Sequence, residues 1–131
     1  MTRAAPSPPP PPLPVDEQCD DLCREADARA VLVLDEDGSI LGHAGAIRGL
    51  AAGVVDGLAD QVAAVLLSAA RGEMSAEEDL VVTIEDVTIC AAPLDAKRVI
   101  AVIMSDAANL FEVRESIRAA RGQLLRSIAE R

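Results

Sequence analysis

The chain has 131 residues, half of them apolar, and a formal net charge of −10 from 22 acidic and 12 basic side chains. Nucleic-acid-binding proteins and proteins that adhere to anionic membranes normally present basic surfaces, so this charge argues against both kinds of partner. Because no apolar run reaches about 18 residues and the N-terminus lacks an apolar signal segment, we expect a cytoplasmic protein without a membrane-spanning segment.

The N-terminal segment, residues 1–14, reads MTRAAPSPPPPPLP and is rich in proline. Proline has a fixed φ and no backbone N–H donor, so the segment is predicted to be a disordered or polyproline II extension. It is either a low-complexity spacer or a ligand of proline-binding domains. We expect residues 15–131 to form one domain with an aliphatic core, because Phe111 is the only aromatic residue. Such a core leaves little room for an enclosed ligand pocket.

The first predicted elements are a helix and a β-hairpin. The helix spans Val15–Ala28, with its apolar residues at helical spacing. The hairpin spans Ala30–Gly45, and the pair Asp37-Gly38 supplies its tight turn. Its first strand, Val31–Leu34, is apolar at every position, which is typical of a strand that is covered on both faces. The sequence therefore predicts a sheet that lies between layers of helices.

The second predicted helix, Val54–Arg71, carries more apolar surface than a single stripe requires. One apolar face holds Val55, Leu58, Val62, Val65, Leu66 and Ala69. A second sector holds Asp56, Asp60, Ala63, Leu67 and Ala70. The remaining strip is polar or small and holds Gly57, Gln61, Ala64 and Ser68. We expect this helix to pack on its own sheet and also to meet a partner.

Three strands and a helix complete the domain. The predicted strands are Leu80–Glu85, Val87–Ala92 and Val99–Met104. The first has the mixed polarity of an edge strand, and the third is apolar enough to lie centrally beside the first strand of the hairpin. The last helix spans Leu110–Ala129, and its arginines form either a solvated face or a patch for an acidic partner. This α-β-β-α-β-β-β-α order predicts an α+β three-layer sandwich, with a five-stranded antiparallel sheet, one helix on one face and two on the other.

The chain lacks the constellations of residues that enzymes use. His43 is the sole histidine, and no nucleophile or carboxylate stands in a recognisable register with it. Two of the three cysteines, Cys19 and Cys23, lie on one helix face, where burial is a better explanation than metal binding. We therefore expect no catalytic residue, no cofactor and no metal site.

Several segments of the chain resemble the roadblock/dynein light-chain family, and within it most closely the bacterial MglB-type GTPase-regulating proteins. The similar segments are CDDL in the first helix, the hairpin AVLVLDEDGSILGHAG, QVAAVLL in the second helix, the strand VIAVIM and the helix start NLFEVRESIRAA. The resemblance covers about Val15–Ala129 and rests on the order of these segments. The family usually has a small residue where Phe111 stands.

The resemblance implies a roadblock/profilin-like fold and self-association as a homodimer or a higher oligomer. In the family, the second helices pair across a two-fold axis and the third strands join edge to edge into one continuous sheet. MglB-type dimers bind a small Ras-like GTPase and stimulate hydrolysis by ordering its switch regions, without an arginine finger of their own. The alternative is a non-catalytic scaffold or adaptor subunit of a larger assembly.

The resemblance also implies two sets of site residues. The residues expected to contact the GTPase are Asp56, Asp60, Ala63, Ala64 and Leu67. Those expected in the dimer interface are Val55, Ala59, Ala70, Val81, Thr83 and Glu85.

Overall fold

The computed structural model describes residues 14–75, 77–105 and 109–129. The predicted proline-rich extension, apart from Pro14, and the last two residues of the predicted domain lie outside the described residues. The elements are α1 (Val15–Glu25), β1 (Ala30–Asp35), β2 (Ile40–Gly45), α2 (Ala52–Ala70), β3 (Leu80–Ile84), β4 (Val87–Pro93), β5 (Arg98–Met104) and α3 (Leu110–Ala129). This is the order that the sequence predicts.

The five strands form one antiparallel sheet with the order β2-β1-β5-β4-β3. β1 and β5 are neighbours in the middle of the sheet, as their continuous apolar sequences predict, and Val31 pairs with Val102. β2 and β3 are the edges, so the predicted edge character of Leu80–Glu85 is confirmed. The hairpin turn is also confirmed, because Gly38 has a φ of +84°.

The helices lie in two layers, with α2 on one face of the sheet and α1 and α3 on the other. Successive residues of a strand point to opposite faces. Accordingly Ala30 and Leu32 of β1 pack with α2, whereas Val31 and Val33 pack with α1 and α3. All four are buried, which confirms that β1 is covered on both sides. The predicted three-layer sandwich is therefore the observed architecture.

α1 ends at Glu25, so the predicted helix end at Ala28 is wrong. The N–H of Asp27 donates to the Arg24 carbonyl and the N–H of Ala28 donates to the Cys23 carbonyl, at 3.3 and 2.9 Å. Asp27 has a φ of +51°, the left-handed conformation that closes this kind of helix end and that glycine usually provides. Because aspartate occupies this position, the sequence contains no glycine there to indicate where the helix ends.

Candidate partner-binding surface

α2 packs on the sheet along one line of residues and exposes the rest of its surface. The buried residues are Val54, Leu58, Gln61, Val62 and Val65. Val55, which the sequence pattern placed on one apolar face with Leu58 and Val62, is 48% exposed. By length and composition alone α2 is apolar enough to cross a membrane, but here its buried line covers the sheet of its own domain.

Gln61, which the sequence placed in the polar or small strip of α2, is buried and makes a polar contact with the sheet. Its side-chain Nε2 donates to the carbonyl oxygens of Leu80 and Ile89, at 2.6 and 2.9 Å. A buried amide is stable in such a place only because its donors find acceptors. These bonds connect α2 to both β3 and β4.

The flank of α2 that faces β3 is built from glycines. A Cβ added to Gly57 would lie 2.0 Å from the Cδ1 atom of Ile84, and one added to Gly53 would lie 3.4 Å from a Glu85 carboxylate oxygen. The absence of a side chain at Gly57 therefore lets α2 approach the edge strand closely. The sequence assigned Gly57 to a polar or small strip of the helix, and the structure places Gly57 against β3.

The predicted GTPase-contacting residues share one exposed side of α2, which we call the outer face. Its members Asp56, Asp60, Ala63, Ala64 and Leu67 are all exposed. Residues advance by about 100° per position in an α-helix, which places these five within about 100° of arc. Leu67 is 52% exposed and is the largest apolar side chain among them. The structure thus brings this predicted set together.

The predicted dimer-interface residues fall on separate surfaces. Val81 and Thr83 lie on the edge strand β3, and Glu85 lies in the turn that follows it, with a φ of +55°. Val55 and Ala59 lie on the opposite flank of α2, the one that faces the β1–β2 hairpin. Ala70 is the exposed last residue of α2. The structure does not bring Val55 and Ala59 together with the β3 residues within one chain.

An open apolar groove of about 460 Å³ separates α2 from the β1–β2 hairpin. Its walls are the aliphatic side chains Leu34, Ile40, Ile47, Leu50, Val55, Leu58, Val62 and Leu66, and we call it the hairpin groove. Glu36 and Asp37 of the hairpin turn stand at its rim. The pKa of Asp37 is lowered because its carboxylate accepts a hydrogen bond from the Ser39 backbone N–H. The sequence analysis missed this groove, although the predicted surplus of apolar residues on α2 was a signal of it.

The cysteines are buried, and the other residue types that could bind a metal or react are not grouped together where the structure describes them. Cys19, Cys23 and Cys90 are all buried, as predicted for the first two. Burial is the largest cause that raises the pKa of Cys19 and of Cys90 to about 12, so neither thiol is poised to act as a thiolate near neutral pH. His43 is exposed on β2, and its backbone N–H donates to the Asp16 carboxylate at 2.9 Å. Across the described ranges, no three His, Cys, Asp or Glu residues are grouped to hold a metal ion.

The arginines of α3 are mostly exposed, in agreement with a solvated face, but two of them have structural partners. Arg114 makes two hydrogen bonds to the Asp79 carboxylate, at 2.7 and 2.9 Å. Arg121 donates to the carbonyl oxygen of Pro93 at 2.9 Å, and desolvation lowers its pKa. Arg114 ties α3 to the start of β3, and Arg121 ties it to the end of β4. Phe111, at the start of the same helix, is 71% exposed.

Element order, sheet topology and helix layers define this chain as a roadblock-type α+β domain. No protein-family model matches the sequence, and no curated protein does. Solved structures do match. The Myxococcus xanthus MglB structure is 24% identical, with a TM-score of 0.67 over 88% of this chain and 87% of that one.

Two further structures support the same conclusion. The gliding protein MglB from Thermus thermophilus is 21% identical, with a TM-score of 0.67 over 89% of this chain and 90% of that one. A Roadblock/LC7 domain from Streptomyces avermitilis is 17% identical, with a TM-score of 0.55 over 84% and 97% of the two chains. At these identities the similarity shows the fold, and it confirms the roadblock resemblance at that level.

Proposed function

We propose that this protein is a dimeric regulator of a small Ras-like GTPase that acts by positioning and contributes no catalytic residue. The outer face of α2 is the observation that carries the proposal. Leu67 stands there beside the small residues Ala63 and Ala64, which allow another backbone to approach closely. Asp56 and Asp60 border this apolar centre with negative charge. An apolar centre with a charged rim is the usual anatomy of a protein–protein interface.

Regulation by positioning requires no reactive group from the regulator itself. Phosphoryl transfer depends mainly on placing the attacking water and neutralising charge, so a protein that holds the switch segments of a GTPase in the competent arrangement accelerates hydrolysis. The fold is shared with MglB structures, one of which is a gliding protein. We infer that this chain acts in the cytoplasm and takes part in the control of cell polarity.

Self-association is part of the proposal, and β3 is the strand that would carry it. β3 pairs with β4 on one side only, so its other edge offers backbone groups to a second copy. Thr83 and Glu85 are exposed along or beside this edge. Two copies joined there would form one continuous sheet. One of the similar structures is an MglB with a tetrameric arrangement, which agrees with self-association.

An adaptor without effect on hydrolysis is the second candidate. Large apolar side chains are exposed on three separate elements, with Ile40 on β2, Leu67 on α2 and Phe111 on α3. Separate apolar contacts of this kind suit a subunit that joins several partners, because each is a potential binding surface.

The activator role is tested by the single-turnover hydrolysis of GTP on purified small Ras-like GTPases from the same genome. We expect one of them to hydrolyse GTP at least tenfold faster when this protein is added. Leu67→Arg is expected to abolish the acceleration, because it places a charge at the centre of the contact, and to leave the circular dichroism spectrum unchanged. Phe111→Arg, at an exposed apolar residue on α3, is the matched control and should retain the acceleration.

The outcomes separate the two candidates. Unchanged hydrolysis with every GTPase rejects the activator role. A GTPase that binds through Leu67 without faster hydrolysis identifies an adaptor. An unfolded Leu67→Arg variant would contradict the exposed position of this side chain.

A further inference from the structure

The N-terminal segment leaves the domain at the edge strand β2, from the face of the sheet opposite the hairpin groove. Pro14 is the residue before α1, and the first turn of α1 lies against the edge strand β2. A Cβ added to Gly42 would lie 2.3 Å from the Val15 Cγ1 atom, and the Asp16 carboxylate accepts the His43 N–H at 2.9 Å. Residues 1–13 therefore begin their course at the exposed edge of β2.

A path of open surface leads from the edge of β2 into the hairpin groove. A shallow depression at the edge is lined by Ile40, His43, Ile47 and Arg48. It shares Ile40 and Ile47 with the hairpin groove, so the two hollows are adjacent. Ile40 is 54% exposed and Val55 is 48% exposed, and they line the two walls of the hairpin groove. The path therefore ends between large apolar side chains that are open to solvent.

The N-terminal segment has the chemistry and the reach to cover that path. Residues 1–13 contain no carboxylate, although the chain as a whole has 22, and they carry a cation at Arg3. From Pro14 to Arg3 a polyproline II chain spans about 34 Å at about 3.1 Å per residue. The groove wall from Val55 to Leu66 is only about 16 Å long, at about 1.5 Å per residue. Pyrrolidine rings are apolar, and their fixed φ lowers the entropy lost when such a segment binds.

The charges at the rim favour this occupant over a second copy of the chain. Glu36 and Asp37 stand at the rim, so two hairpin grooves placed face to face would oppose carboxylate to carboxylate. The positive charge of Arg3, by contrast, is opposite to that of Glu36 and Asp37. The geometry points to residues 1–13 as the segment that docks into the hairpin groove of their own chain.

The test uses the full-length chain with a nitroxide spin label on a cysteine introduced by Ser7→Cys. The native cysteines are buried, so the label is directed to residue 7. In ¹H–¹⁵N spectra we expect the backbone amide signals of Ile40, Ile47 and Val55 to lose more than half of their intensity. The signal of Ala119, exposed on the far side of the sheet on α3, should keep its intensity.

Two variants decide whether the groove and the prolines cause the effect. Val55→Asp should restore the Ile40 signal, whereas the matched change Leu67→Asp on the outer face should not. Replacing Pro9, Pro10 and Pro11 with glycine should also restore it, and this change leaves the groove intact. Unattenuated signals at Ile40 and Val55 in the parent chain, or attenuation that persists in the glycine variant, would overturn the proposal.

A mixed sample separates the chain's own groove from that of a neighbour. ¹⁵N protein without a spin label is combined with an equal amount of ¹⁴N protein that carries the spin label. Full Ile40 and Val55 intensities are expected in this mixture. Attenuation there would assign the segment to a second copy and contradict docking within one chain.

Discussion

Gln61 is the residue whose burial holds α2 in its orientation on the sheet. It is 3% exposed, and its amide nitrogen donates to carbonyl oxygens on two different strands. A leucine at this position would have a similar volume, and the same side of α2 could still pack on the sheet. The carbonyl oxygens of Leu80 and Ile89 would then lose the hydrogen bonds from the Gln61 amide. The hydrogen bonds, more than the shape of the side chain, therefore distinguish the native residue.

Gln61→Leu is expected to lower the free energy of unfolding by about 1–3 kcal/mol, the usual cost of leaving buried polar groups unsatisfied. Urea denaturation at a fixed protein concentration measures the change. Gln123→Leu, at an exposed position of α3, is the control and should change stability by less than about 0.5 kcal/mol. A Gln61→Leu protein as stable as the parent would show that these bonds contribute nothing to stability.

At the scale of elements, the sequence predicted the strands better than the orientation of α2. β1 is apolar from residue 30 to 34 and β5 from residue 99 to 104. Such runs are typical of central strands, so the layers and the sheet neighbours could be predicted. α2 has two apolar sectors, and helical periodicity cannot decide which of them faces the sheet. Two contacts determine which side of α2 faces the sheet. Gly57 leaves room for the Ile84 side chain, and Gln61 donates hydrogen bonds to carbonyl oxygens in strands that are distant in sequence.

The outer face and the hairpin groove also differ in whether the sequence could predict them. The outer face could be predicted, because five positions on one helix share an arc whatever lies beneath the helix. The hairpin groove could not, since Ile40 and Val55 lie on different elements and face each other only after α2 has packed on the sheet that contains the hairpin. Val55 and Ala59 were assigned with β3 to one interface, yet they face the hairpin that carries the opposite edge of the sheet.

The edge strand β3 supports a prediction about self-association. Thr83 is exposed one position before the end of this strand, so Thr83→Lys would place like charges from two copies close to the proposed contact. We expect the dissociation constant of the dimer, measured by sedimentation velocity, to rise at least tenfold. Thr83→Val keeps a β-branched side chain and should change it by less than threefold. Equal dissociation constants for both variants would exclude β3 as the contact.

At the scale of the whole molecule, the net charge of −10 opposes any association between copies of the chain. Joining two copies brings two surpluses of negative charge together, and dissolved salt screens this repulsion over about 10 Å at 0.1 M ionic strength. The apolar contacts and backbone hydrogen bonds proposed at β3 depend much less on salt. Salt should therefore strengthen the dimer, the opposite of its effect on a contact between oppositely charged surfaces.

We expect the dimer dissociation constant to fall severalfold between about 20 and 200 mM sodium chloride, as measured by sedimentation velocity near pH 7. Binding to a partner with a basic contact surface should weaken over the same range, because Asp56 and Asp60 would then lose attraction. Thr83→Val serves as the control for the dimer, since it leaves the charge unchanged and should follow the same salt dependence. A dimer that dissociates as salt rises would instead be held by ion pairs between the copies, and the β3 edge would not be its main contact.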